Sequence, residues 1–136
     1  MTPSTPRGPR VSHVGIAVEA IAESLPFFRD VLGFKEVSLD DADGARIVGF
    51  SVGESLVELL EAADPGSPIG RFVAKRGPGI HHICFSVDDL DATLERCRAA
   101  GIQLIDERPR VGAEGKRIAF LHPRSTGGVL VELSDY

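Results

Sequence analysis

The sequence has few cysteines, no long apolar run and fewer basic than acidic residues. Its 136 residues include only Cys84 and Cys97, too few for a disulfide framework, which favours a reducing cytoplasm. No segment approaches the roughly 20 apolar residues that span a bilayer, and the first residues lack the apolar h-region of a secretory signal. The 15 basic and 20 acidic residues give a net charge of −5, which argues against a general nucleic-acid binder.

The length and composition are those of one ordinary domain, or of two small copies of one motif. Apolar residues make up 43% of the chain and charged residues 26%, so a packed core is expected. The first ten residues contain three prolines and two arginines. We therefore expect a disordered tail over residues 1–10 and a single domain over residues 11–136.

Charge is distributed unevenly between the two halves of the chain. Residues 11–64 contain 11 acidic and 3 basic residues, whereas residues 65–136 contain 9 acidic and 10 basic residues. An anionic ligand should therefore meet the second half first.

The two halves also repeat one another. VSHVGIAV at residues 11–18 matches IHHICFSV at residues 80–87, which aligns His13 with His82 at an offset of 69. The apolar residues that follow match at the same offset with helical spacing, and LVEL then aligns Glu58 with Glu132 at an offset of 74. An internal duplication of this kind decides the fold.

Each half is predicted to form a strand, a helix and three further strands. The strands are predicted over 11–18, 34–38, 45–52 and 55–61, and over 80–87, 102–106, 116–122 and 129–134, with helices over 21–32 and 89–100. Asp88 or Asp89 would cap the second helix. A linker over 62–79 joins the repeats 11–61 and 80–134, and a short helix is predicted at 68–76 after Ser67. The fold class is α+β, with two tandem βαβββ modules forming a curved mixed sheet, helices outside and a concave inner face.

The duplication gives each half one histidine on its first strand and one glutamate on its last strand. Glu58 and Glu132 lie in runs that otherwise read as buried strand, where an unpaired carboxylate is costly. With His13 and His82 they could supply four ligands to one divalent metal ion. Nitrogen and oxygen donors suit Zn²⁺, Co²⁺, Ni²⁺, Mn²⁺ or Fe²⁺ and do not choose among them.

Two neighbouring residues are assigned structural roles. His81 should point to the opposite face of the strand from His82. Cys84 alternates to the same face as His82, where it is read as a small apolar residue.

The repeated plan resembles the vicinal oxygen chelate superfamily, also called the glyoxalase/bleomycin-resistance fold. The chain is similar to methylmalonyl-CoA epimerases over residues 11–135. The most specific stretches are RFVAKRGPGIHHICFSVDDL at 71–90 and LIDERPRVGAEGKRIAFLHPRSTGGVLVEL at 104–133. The resemblance implies a cytoplasmic homodimer that interconverts (2R)- and (2S)-methylmalonyl-CoA in propionyl-CoA metabolism. It places the metal ligands at His13, His82 and Glu132, with a further ligand position at Glu58.

The implied reaction removes and returns a proton at C2 through a metal-stabilised enolate. One divalent ion per subunit would stabilise the charge where it develops, and two acid/base groups would flank the carbon. Some relatives carry a glutamate where an ungapped alignment places Ile47. We therefore expect Glu58 and Glu132 to be the catalytic pair.

The negative charges of coenzyme A suit the basic second half, and Lys75, Arg76, Lys116 and Arg117 are the predicted contacts. Two alternatives stay open. Glyoxalase I, or lactoylglutathione lyase, shares a His/Glu/His/Glu ligand set. A non-enzymatic protein of the same fold would bind and sequester a small molecule without the metal quartet.

Overall fold

A computed structural model describes residues 5–136 of the chain. In chain order the elements are β1 (Arg10–Ala17), α1 (Ile21–Leu25) continued by a π-helical segment (Pro26–Val31), β2 (Lys35–Ser38), β3 (Ala45–Val52), β4 (Ser55–Ala62), α2 (Pro68–Arg76), β5 (Gly79–Ser86), α3 (Leu90–Ala99), β6 (Arg110–Val111), β7 (Arg117–Leu121), a 3₁₀ turn (Pro123–Ser125) and β8 (Val131–Ser134). Among the described residues, no helix is long and apolar enough to cross a membrane.

The eight strands form one mixed sheet in the order β2-β3-β4-β1-β5-β8-β7-β6. β1 and β5 pair antiparallel at its centre. Each is flanked by the last strand of its own module in parallel register, β4 beside β1 and β8 beside β5. This symmetric order confirms the predicted α+β fold of two βαβββ modules, and it places the four residues of interest on adjacent central strands.

Strand alternation separates a helix-covered face from a cavity face. On β4, Leu59 packs in the core beside α1, whereas Glu58 and Leu60 line the cavity. On β8, Leu133 packs against α3, whereas Glu132 lines the cavity. The side-chain period of two therefore delivers both glutamates to the same concave side of the sheet.

The amino-terminal expectation needs a correction. Residues 1–4 lie outside the described residues. Arg10, however, already belongs to β1. The backbone N–H groups of Arg7 and Gly8 each donate to the Asp88 carboxylate at 2.8 Å, and the Tyr136 hydroxyl donates to the Gly8 carbonyl. Arg7, Gly8 and Arg10, from the segment predicted to be a disordered tail, therefore contact the domain or belong to it.

The first helix is not a regular α-helix over 21–32. Pro26 is its sixth residue, too far along for its missing N–H to be harmless. The chain widens there into a π-helical segment, in which the Leu32 N–H donates to the Phe27 carbonyl at 2.9 Å. The wider turn accommodates the proline at a point where an α-helix would lose a hydrogen bond.

The strand predicted over 102–106 is wrong. Leu104 forms only an isolated bridge with Leu121, and the edge strand β6 comes later, at Arg110–Val111. The Asp106 carboxylate accepts the Phe120 N–H at 2.8 Å, so a side chain supplies the acceptor that a strand backbone would have given. Pro109, between Asp106 and β6, has no N–H to donate to a neighbouring strand.

The predicted helix caps are confirmed. The Ser67 hydroxyl accepts the Gly70 N–H at 3.2 Å at the start of α2. Of the two candidates for α3, Asp89 is the cap, because its carboxylate accepts the Ala92 N–H at 2.9 Å.

Candidate metal centre and cavity

The two histidines meet where β1 and β5 cross the centre of the sheet. His13 Nε2 lies 3.1 Å from His82 Nε2. Glu132 Oε1 lies 2.9 Å from His13 Nε2 and 3.2 Å from His82 Nε2. Three potential ligand atoms from both modules therefore converge on one point.

Glu58 approaches the His13 imidazole from its Nδ1 side. Its Oε2 atom lies 3.4 Å from His13 Nδ1 but has no hydrogen-bond partner among residues 5–136. Only 2% of Glu58 is exposed. Burial is the main cause that raises the pKa of Glu58 to about 8, with His13 opposing the shift and Glu114 and Glu132 adding to it. A buried carboxylate oxygen without a hydrogen-bond partner is stabilised by a nearby cation.

The pKa values of His13 and Glu132 also indicate that positive charge is favourable at this site. Burial disfavours charge on His13, yet hydrogen bonds to Cys84, Glu114 and Glu132 and the charge of Glu58 raise its pKa to about 12. Burial acts to raise the pKa of Glu132, but hydrogen bonds from His13 and His82 outweigh it and lower that pKa to about 2. The carboxylates hold a proton on the imidazole where a metal ion would otherwise balance them.

The donor set fits a divalent metal ion. Nitrogen and carboxylate ligands lie roughly 2.0–2.2 Å from Zn²⁺, so neighbouring donors around such an ion are about 3 Å apart. The observed separations of 2.9–3.2 Å among His13, His82 and Glu132 are of that size. His13, Glu58 and His82 also place one donor atom each within 4.8 Å of one another.

Cys84 is a further potential donor, since its sulfur, His13 and Glu132 also place ligand atoms within 4.8 Å of one another. The residue is fully buried, and burial raises the pKa of its thiol to about 11. This environment agrees with its assignment as a small apolar residue.

Gly15 makes room for His82. It lies opposite His82 in the register of β1 and β5. A methyl group on Gly15 would overlap the His82 ring. The absence of a side chain at this position of the strand therefore leaves space for the His82 imidazole.

His81 does not point away from the cavity as strand alternation predicts. The pairing with β1 shifts at this point, so that Gly15 faces His82 and Ile16 faces Ile80, leaving His81 as the extra residue of a β-bulge. Its Nδ1 lies 2.9 Å from His82 Nδ1. Burial, the largest cause, lowers the pKa of His81 to about 4.

Glu114 was missed by the sequence analysis. It lies in the turn between β6 and β7, and its Oε2 is 2.6 Å from His13 Nδ1 with 16% of the side chain exposed. The signal that could have found it was the repeat: the match of Gly115 to Gly44 also aligns Glu114 with Asp43. Both acids line the same cavity.

The cavity has a volume of about 240 Å³. Its walls are mostly apolar, and they include Ile47, Leu60, Ile69, Ile105, Ile118 and Phe120. Ile47 is buried in this wall, where it contributes an alkyl group and no carboxylate. A shaped apolar pocket with a few convergent polar groups is the usual form of a small-ligand site.

The four predicted coenzyme A contacts do not share one location in the structure. Lys116 is half-buried and lines the cavity. Lys75 and Arg76 are exposed in the last turn of α2. Arg117 is not part of the cavity wall, and its guanidinium pairs with Asp91 and Asp135, each at 2.8 Å.

Arg110 is a cavity cation that the sequence analysis did not identify. It pairs with Asp43 at 3.0 Å and with Asp106 at 2.9 Å. Its guanidinium also lies 5.7 Å from the centre of the Phe120 ring. Two carboxylates already neutralise it, which leaves Lys116 as the better candidate for an anionic group of a ligand.

Residues 10–133 match the family described as the Glyoxalase/Bleomycin resistance protein/Dioxygenase superfamily. That range contains all four residues of the quartet. The chain is therefore similar to this superfamily over nearly all of its described length.

Several similar proteins are named methylmalonyl-CoA epimerase. The ethylmalonyl-CoA/methylmalonyl-CoA epimerase of Cereibacter sphaeroides is 38% identical over 131 residues, covering 93% of this chain and 97% of that protein. The mitochondrial methylmalonyl-CoA epimerase of Mus musculus is 37% identical, covering 93% of this chain and 72% of that protein. A solved structure of methylmalonyl-CoA epimerase in complex with methylmalonyl-CoA and NH4+ is 34% identical, covers 93% of both chains and has a TM-score of 0.88.

Proposed function

Because the chain belongs to the Glyoxalase/Bleomycin resistance protein/Dioxygenase superfamily, we propose that it is a metal-dependent methylmalonyl-CoA epimerase. The observation that carries this proposal is the similarity to proteins named as such epimerases across 93% of the chain. The buried quartet supports it, because this reaction needs both charge stabilisation and proton transfer at one carbon.

His13, Glu58, His82 and Glu132 would hold the metal ion. The orphaned oxygen of Glu58 and the close approach of three donors from the other residues support this assignment. When bound, a divalent ion supplies Lewis-acid stabilisation of negative charge on the thioester and carboxylate oxygens of the substrate. Co²⁺, Zn²⁺, Mn²⁺ and Ni²⁺ all suit these donors.

Glu58 and Glu132 are our candidates for the two proton-transfer groups. They occupy matching positions on β4 and β8. Epimerisation needs a base on one side of C2 and an acid on the other, and two glutamates related by the repeat can approach a carbon from opposite directions. Ile47, in the cavity wall, offers no carboxylate for this purpose.

The cavity walls suit the acyl group, and the coenzyme must remain outside. A volume of about 240 Å³ holds a substituted malonyl group but not coenzyme A. The isoleucines at positions 47, 105 and 118 would contact its alkyl substituent, so an ethylmalonyl group is a second candidate substrate.

Lys116 would bind an anionic group of the ligand inside the cavity, and Lys75 and Arg76 would bind coenzyme phosphates at its surface. The ion pairs of Arg117 give no support to a role in binding.

Incubation of the Co²⁺-loaded protein with one stereoisomer of methylmalonyl-CoA in D₂O tests the proposal. We expect formation of the second stereoisomer with deuterium incorporated at C2, observed by mass spectrometry and chiral analysis. Retention of all C2 hydrogen over many hours, in protein that has bound its metal, would contradict the proposal.

Glyoxalase I is the second candidate, because the quartet has glutamate at both carboxylate positions. Its substrate is the hemithioacetal of methylglyoxal and glutathione. Assaying the same metal-loaded preparation with methylmalonyl-CoA and with the hemithioacetal separates the two functions. We expect turnover of methylmalonyl-CoA and negligible formation of lactoylglutathione.

The resemblance also supports a homodimer that works in propionyl-CoA metabolism in the cytoplasm. Light scattering of the purified chain would give twice the monomer mass of 14.5 kDa. A monomer at assay concentration would contradict the dimer without affecting the proposed reaction.

A further inference from the structure

Glu114 lies outside the quartet yet touches one of its members. Its Oε2 lies 2.6 Å from His13 Nδ1, the separation of a close ion pair. A carboxylate this close to a ring nitrogen is favourable when that nitrogen carries a proton. Most of the Glu114 side chain is buried, so water competes little for this contact.

The contact determines which nitrogen of His13 carries a proton. A neutral imidazole has one N–H and one lone pair, and only the lone pair can bind a metal. Nε2 faces the other donors, His82 Nε2 and Glu132 Oε1. A proton placed on Nδ1 and donated to Glu114 leaves Nε2 bare towards them.

The other neighbours of Nδ1 cannot fix this state. The Ser12 hydroxyl, at 3.1 Å, can rotate to donate or to accept, so it is compatible with either tautomer. The Glu58 oxygen at 3.4 Å makes no hydrogen bond. Glu114 is therefore the neighbour that demands a donor.

His82 has an analogous arrangement with a different partner. Its Nδ1 lies 2.9 Å from His81 Nδ1, so one of these atoms must donate and the other must accept. If Nε2 of His82 is to bind metal, the proton is on its Nδ1 and His81 accepts it. Both imidazoles thus have their outer nitrogen engaged and their inner nitrogen directed at the centre.

We propose that Glu114 is a positioning residue that holds His13 in the metal-binding tautomer and orientation through its Nδ1–H. The inference rests on the proposed metal site. It assigns Glu114 an action through His13, with no contact to the substrate required. Partners of this kind orient metal-binding histidines and raise their basicity.

The first test is metal affinity, measured by titrating Co²⁺ into the chelator-treated protein by calorimetry. Loss of such a partner typically weakens metal binding by about 10- to 100-fold, and we expect that loss in Glu114→Gln. The matched control is Asp43→Asn, which removes one negative charge from the same cavity wall at the repeat-related position but touches no imidazole. Its affinity should stay within a few-fold of the wild type.

The second test reads the tautomer directly. In Zn²⁺-loaded protein with ¹⁵N-labelled histidine, NMR should show a strongly downfield Nδ1–H proton for His13, and this signal should move upfield or vanish in Glu114→Gln. A second variant, Glu114→Asp, keeps the charge but withdraws it by one methylene group. It should also bind Co²⁺ more weakly than the wild type, which separates contact from charge.

The outcomes distinguish the two proposals. A wild-type protein that binds no Co²⁺ would overturn the metal site itself. Wild-type binding with unchanged affinity in folded Glu114→Gln or Glu114→Asp would overturn only the role of Glu114. Loss of epimerisation in Glu114→Gln with full affinity and an unchanged His13 signal would likewise overturn it, and would make Glu114 an acid/base group instead.

Discussion

At the scale of single residues, buried carboxylates dominate the chemistry of this chain. Glu58 and Glu132 are almost fully buried, and Glu114 is largely so. Removing such groups from water is costly unless a cation or several hydrogen bonds compensate. The matching positions of Glu58 and Glu132 in the two modules are therefore the basis for proposing that they bind a cation.

Glu58→Gln tests the proposed pair of proton-transfer groups. The amide oxygen can still face the metal, so we expect Co²⁺ to remain bound. Loss of one acid/base group should lower the epimerisation rate by about 100-fold or more, measured as interconversion of the two stereoisomers. Glu54→Gln, at an exposed position before the same strand, is the control and should keep the wild-type rate. A Glu58→Gln variant with bound metal and full activity would remove Glu58 from the mechanism.

Gly15→Ala tests the packing that seats His82. The added methyl group overlaps the His82 ring, and relief of the clash must displace the ring or the strand. We expect a Co²⁺ dissociation constant at least about 10-fold higher and a loss of about 1–3 kcal/mol in unfolding free energy. In Gly79→Ala, the new methyl group meets nothing within 4 Å, so that variant should match the wild type. Equal metal binding by both variants would refute this role for Gly15.

At the scale of secondary structure, the duplication allowed most elements to be predicted. The repeat and its apolar pattern placed β3 and β4 correctly to within one residue, and the Ser67 cap signal placed α2. It failed where a side chain or a proline altered the backbone pattern. Asp106 replaces a strand acceptor, and Pro26 widens a helix turn, effects that apolar spacing alone does not encode.

The cap of α3 offers a stability test at this scale. Asp89→Ala leaves the Ala92 N–H without its side-chain acceptor, which typically costs about 1 kcal/mol. We expect a loss of that size in denaturant titration, with a lower melting temperature. Asp89→Asn keeps an equivalent cap and should lose much less. If both variants lose the same stability, the effect comes from charge and not from the cap.

The site was predictable in part for the same reason as the fold. The repeat identified His13, Glu58, His82 and Glu132 because each has a counterpart at the matching position. Glu114 and His81 were not identified, because their contacts depend on a turn and on a β-bulge that break strand alternation. Partners brought in by irregular backbone need the three-dimensional structure.

At the scale of the whole molecule, the site joins the two modules. His13 and Glu58 come from the first module, whereas His82 and Glu132 come from the second. A metal ion held by all four would cross-link the halves of the sheet. It would then stabilise the fold by mass action, by about 2.7 kcal/mol at a free concentration of 100 times the dissociation constant.

This coupling predicts opposite pH trends for the metal-free and metal-loaded protein. Without metal, the pKa values of Glu58 and His13 are raised to about 8 and about 12. The folded state then holds protons that the unfolded state releases, so stability falls from about pH 4.5 to 8 through Glu58 and from about pH 6.5 to 12 through His13. His81, whose pKa is lowered to about 4, opposes this trend below about pH 6.5. Metal binding requires deprotonated ligands and strengthens over the same range.

Calorimetric melting temperatures between pH 5 and pH 9, measured with EDTA and with Co²⁺, would reveal these trends. The EDTA curve should fall as pH rises from about 6.5 to 9, where Glu58 and His13 act together, and the stabilisation by Co²⁺ should grow. A stabilisation by Co²⁺ that does not change with pH would contradict ligation by these four side chains.

The central claim is that side chains from both modules hold one metal ion. X-ray diffraction from a crystal of the Co²⁺-loaded protein, collected at the cobalt absorption edge, tests it most directly. The account predicts one strong anomalous peak per chain, with His13, Glu58, His82 and Glu132 within bonding distance. A peak located elsewhere, or one bound by the residues of a single module, would contradict it.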